Sequence, residues 1–137
     1  MERFFSGVLF GIVAVLILDA GGAFLSRRLM FAYSRLAPIS FVLWGVTADI
    51  ASRAGGSDLI QSIVLGGLAG LIVGLFDSTV GWWISWRIGA GRLKPEMITP
   101  RAIARIVFNV TLLASGTGAV TALAVALVGK IIQQSAT

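Results

Sequence analysis

The chain has 137 residues, of which 57% are apolar and only 12% charged, and it carries a formal net charge of +5. A soluble domain carries about 25% charged residues, so this composition excludes an ordinary water-soluble globule. Histidine and cysteine are both absent, which excludes disulfides, thiol nucleophiles, Cys/His zinc sites and histidine-ligated haem.

The first apolar segment runs from about Phe4 to Leu25. Its apolar run Phe4–Leu18 has about the length of a secretory leader's. However, Glu2 offsets Arg3 and the basic pair Arg27–Arg28 follows the apolar run, so it reads as a retained helix. A second segment runs from about Met30 to Ala51, with Arg35 and Pro38 near its start. Arg35 leaves a clean apolar run of only Leu36–Ala48, short for a span and compatible with a helix lying in the interface. After the Gly55–Gly56 break, Ser57 is placed to cap a third helix from about Asp58 to Trp86. Trp82, Trp83 and Trp86 close it, as an aromatic belt at a headgroup interface would. Thr99 is placed to cap a fourth helix from about Pro100 to Ile132, with Pro100 at the first helical position, where its missing N–H costs nothing. Within it, Ile106 to Gly129 is 24 residues without a charge, and about 20 apolar residues suffice to cross a bilayer.

The expected fold class is therefore all-α: a single transmembrane domain over residues 1–137 built as a four-transmembrane-helix bundle. Its orientation follows from the basic residues. Arg27, Arg28, Arg35, Arg87, Arg92, Lys94, Arg101 and Arg105 fall on one side, and Arg3, Arg53 and Lys130 on the other. Positive-inside bias places the first set in the cytoplasm and both termini outside, as in a multi-pass protein of a bacterial inner membrane. The pI near 11.2 then reflects anionic phospholipid headgroups rather than nucleic acid as the partner.

Small residues recur four apart at Gly66, Gly70 and Gly74, and again at Ala114, Gly118 and Ala122. Such rows lie on one helix face and let a second backbone approach closely. They fit packing within the bundle, while a further small surface around Gly116 suits other membrane subunits or copies of the chain. Gly7, Gly11, Asp19 and Ser26 loosely parallel Gly66, Gly70, Asp77 and Ser85, but the spacings drift, as chance matches do in a Gly-rich membrane chain.

Polar groups share one depth. At 1.5 Å per residue, Asp19 lies about 10 Å from the end of its helix and Asp77 about 15 Å from Arg87. On the same scale Arg35 lies about 8 Å in, and Asn109 about 13 Å in beyond Arg105. A lone charge at this depth costs at least about 2.5 kcal/mol, so these residues form an expected intramembrane polar cluster, in which Asp19 or Asp77 pairs with Arg35 or Arg105. The free N–H groups at the start of the fourth helix, with Arg101 and Arg105, suit a lipid headgroup. The turn Gly89-Ala90-Gly91-Arg92 resembles a phosphate cradle only in its glycines, and an ordinary flexible turn explains it better.

These residues offer no base, nucleophile or metal cluster of the kind an enzyme needs, and no metal site or cofactor is indicated. The expected function is a structural, assembly or accessory subunit of a larger membrane complex. The alternative is a small oligomeric transporter or channel that uses Asp19 and Asp77.

Overall fold

A computed structural model describes residues 1–90 and 99–135, and every regular element among them is helical. Helix α1, Glu2–Arg28, starts on an acid and ends on two bases, which suits the helix dipole at both ends. A 3₁₀ turn, Tyr33–Leu36, leads into α2, Ala37–Ser52. The sequence suggested a helix from about residue 30. Pro38 explains the later start, because its ring would clash with the carbonyl four residues back and confines it to a first helical turn.

A second 3₁₀ turn, Arg53–Gly55, precedes α3, Leu59–Phe76. The cap of α3 is Asp58 rather than Ser57: its Oδ1 accepts from the N–H groups of Ile60 and Gln61, at 2.9 and 3.2 Å. After α3 the chain makes a π-turn, Asp77–Gly81, and continues as α4, Trp82–Ile88. Together these three form one helical run of 30 residues. It stops at Gly89, whose φ of +78° lies in the left-handed region that glycine adopts without a Cβ penalty. Arg27 of α1 donates to the carbonyl of Ile88 at 2.6 Å and ties the ends of α1 and α4 together. Helix α5, Pro100–Ser135, begins as expected, with Thr99 Oγ1 accepting from Ala102 N–H at 3.2 Å.

Three helical runs are long and apolar enough to cross a membrane: Glu2–Arg28, Leu59–Ile88 and Pro100–Ser135. Helix α2, with 16 residues, is shorter than these. It packs against α1, α3 and α5 through Trp44, Thr47, Ala48 and Ala51.

The closest helix contact is α3 on α5, and Gly66, Gly70, Gly74 and Gly118 all lie in it. A Cβ on Gly70 would run into the carbonyl oxygen of Ala114, so two backbones meet there with no side chain between them. Ser115 Oγ donates across the same seam to the carbonyl of Gly67 at 3.1 Å. Val15, Trp44, Val73 and Ala114 form the apolar centre. Most of the remaining buried positions are alanine, glycine, serine or threonine, whereas Phe5, Leu9, Phe108 and Val120 are each more than 60% exposed. Small residues inside and large apolar ones outside suit a protein whose solvent is lipid.

Candidate functional site

Helix α1 buries one face, Gly7, Gly11, Val15, Asp19, Ala23 and Ser26, at helical spacing. Asp19 is the charged member of that row and is only 4% exposed. Asp77 opens the π-turn on the facing run. Such wide turns inside a helix are rare and recur at functional sites, because each gives up regular hydrogen bonding. Part of that loss is made good by Ser78 and Thr79, whose hydroxyls donate back to the carbonyl of Leu75 at 3.1 and 2.6 Å.

Gly81, in the same turn, lets the two acids meet. A Cβ there would collide with Asp19 Oδ2 and stand 3.3 Å from Asp77 Oδ1. Both carboxylates therefore reach within 3.3 Å of one point. Asp19 Oδ1 accepts from the Tyr33 hydroxyl. Ser85 Oγ lies 3.1 Å from Tyr33 Oη and 3.0 Å from the carbonyl of Gly81, and its one proton serves either. Trp44 Nε1 donates to Asp77 Oδ2 at 3.2 Å. Asp19 Oδ2 is buried and has no hydrogen-bond partner, an exception to the rule that buried polar atoms are bonded.

The expected pairing with arginine is not formed. Among the described residues the one ion pair is Asp49–Arg53, at 2.7 Å near the other end of the molecule. There Asp49 raises the Arg53 pKa through its hydrogen bond and charge. Arg35, Arg105 and Asn109 are all exposed. Pro38 leaves Arg35 in the 3₁₀ turn before α2 rather than within a helix. On α5, Ile106 and Val110 face the acids, and Arg105 and Asn109 each stand one residue earlier, about 100° around the helix. Arg101, in the first turn of α5, is exposed as well. Gly91 and Arg92 of the 89–92 turn, and Lys94 after it, lie outside the described residues.

The acids line a cavity of about 400 Å³. It reaches from Ser34 and Ala90 at the basic end inward to Trp44 and Leu113. Its wall is mostly apolar and aromatic, with Tyr33, Phe41, Trp44, Trp82 and Trp86. The expected tryptophan belt is thus divided. Trp82 stacks on Trp86 at 6.5 Å and both line the cavity, while Trp83 is 53% exposed with Arg87 over its ring.

Sequence reasoning placed Asp19 and Asp77 at one depth but missed Tyr33, Trp44 and Ser85. Tyr33 carried one usable signal: it is the sole tyrosine of the chain and stands near the start of the second apolar segment. Two facing carboxylates with neutral donors and no counter-charge among the described residues can hold protons or a cation, and can exchange one for the other. Compared with known proteins, the chain matches no family model, no curated protein and no solved structure.

Proposed function

We propose that the chain is a small multi-pass membrane transporter or channel whose working element is the Asp19–Asp77 pair, binding and releasing protons or a cation from one side of the bilayer at a time. One observation carries this reading: among the described residues Asp19 Oδ2 is buried without a partner beside a second carboxylate, and no basic side chain lines their cavity. A structural ion-pair network would supply those bases, and its absence among the described residues moves the weight from the accessory-subunit reading to transport.

In this reading α2 is the fourth span. With the 3₁₀ turns at either end it rises roughly 38 Å, beyond the 30 Å or so of hydrocarbon. The basic ends of α1 and α4, joined through Arg27, then lie on the cytoplasmic side with the start of α5. Arg101 and Arg105 contact anionic phospholipid headgroups there.

The test is proton flux into proteoliposomes that enclose a pH-sensitive dye, driven by a potassium diffusion potential. The wild-type chain should acidify the lumen, and Asp19→Asn or Asp77→Asn, eluting as monodisperse protein, should slow this at least tenfold. A wild-type rate no higher than that of empty liposomes, both under this potential and under an outward gradient of sodium or tetraphenylphosphonium, or variants that conduct like wild type, would remove the reading.

The accessory-subunit reading keeps one supporting feature. Beyond Ala122, α5 has no buried residue, which leaves a long apolar stretch for other membrane subunits or a second copy. Unrelated subunits that co-purify in mild detergent would favour it.

A further inference from the structure

Resting on the reading of Asp19 and Asp77 as a cation site, we infer that the cavity takes a lipophilic organic cation, one positive charge on an aromatic or apolar body, in exchange for protons. Size is the first argument. A volume of about 400 Å³ falls in the range of small-molecule sites, about 300–1,000 Å³, and is far more than a bare ion fills.

The wall is the second argument. Calcium takes six to eight oxygen ligands and magnesium a full octahedron. The described residues contain no group of three or more acids that could hold a metal ion, and besides the hydroxyls of Tyr33, Ser34, Ser40, Ser78 and Ser85 the wall around Asp19 and Asp77 is rings and aliphatic chains. Trp44, Trp82 and Trp86 suit a weakly hydrated cation, whose charge is attracted by ring faces and whose body leaves water readily.

Charge is the third argument. The acids come from α1 and the π-turn, and among the described residues the one other titratable group in the wall is Tyr33. Helices α2, α4 and α5 present no charged side chain to the cavity. Among the described residues the charge facing the cavity is therefore acidic, which favours a cation over an anion or a neutral guest. A cation seated in the cavity beside the two carboxylates is balanced by their charge. It also displaces a bound proton: the carboxyl O–H breaks, the proton passes to water, and the carboxylate left behind balances the guest's charge.

Tetraphenylphosphonium and its charge-reversed counterpart tetraphenylborate separate charge recognition from simple partitioning. The full chain, purified in a neutral detergent, is titrated with each while tryptophan fluorescence and proton release into weak buffer are followed. The expected result is saturable quenching by the phosphonium, with protons released and affinity rising up to about tenfold per pH unit while a proton is displaced. The borate should not compete. The wild-type pH profile alone carries this test, and Asp19→Asn with Asp77→Asn should abolish the proton release.

Quenching by both probes alike, or phosphonium binding that ignores pH, would reduce the cavity to an apolar pocket and overturn the inference. No phosphonium binding, with sodium or potassium releasing protons instead, would overturn the inference and leave the cation-site reading standing. If no cation releases protons and the liposomes show no flux, both fail together.

Discussion

A methyl group at position 81 would run into Asp19 Oδ2 and come within 3.3 Å of Asp77 Oδ1. Gly81→Ala must therefore push a buried carboxylate aside or separate α1 from the π-turn. Overpacking of this kind costs about 1–3 kcal/mol, and thermal unfolding in detergent should show a clearly lower midpoint. Gly116→Ala is the matched control, since an added Cβ there meets nothing within 4 Å. It should leave the midpoint unchanged or raise it, because alanine is favoured over glycine in a helix by about 0.5–1 kcal/mol. Equal shifts for the two would show that Gly81 is not the contact described. At this scale the sequence disclosed less than at any other. Depth arithmetic brought Asp19 and Asp77 to one level, but azimuth decides partners, and one residue of phase turned Arg105 outward where Ile106 faces in. Trp44 and Trp82 were illegible for a related reason: an indole at a membrane interface and an indole lining a cavity have the same local sequence.

At the scale of elements, the long apolar runs and the small-residue rows were legible because each rests on a simple count. The π-turn was not, since nothing in Asp77–Gly81 distinguishes it from α-helix until Asp19 is opposite. Nor was the cap of α3, where Ser57 and Asp58 are equally good cap residues and only backbone geometry chooses between them. The α3–α5 seam gives the sharpest prediction. Gly70→Leu should greatly reduce the yield of monodisperse protein, because its side chain meets the backbone of Ala114 and Ser115 and no flexible side chain that could give way. Leu71→Ala, at a position 39% exposed, should be tolerated. Size-exclusion profiles of the two variants check this, and similar profiles would mean that the seam is not tightly closed.

For the whole molecule, the side on which each end lies can be read chemically, because the chain contains no cysteine of its own. Glu2→Cys and Ser135→Cys should react with an impermeant thiol reagent on intact cells, and Ala90→Cys should react only after lysis. Labelling of position 90 alone would invert the orientation. The inside-out distribution of residues has a further consequence for how the molecule responds to temperature. Its buried positions are largely alanine, glycine, serine and threonine, and its large side chains already face outward. Separating the helices within hydrocarbon would wet little apolar surface. A water-soluble domain gains about 12–15 cal/mol/K of heat capacity per residue on unfolding, and here most of that increment has no source. Stability should then fall almost linearly on heating instead of following a dome. Cooling would not loosen helices packed against one another in hydrocarbon.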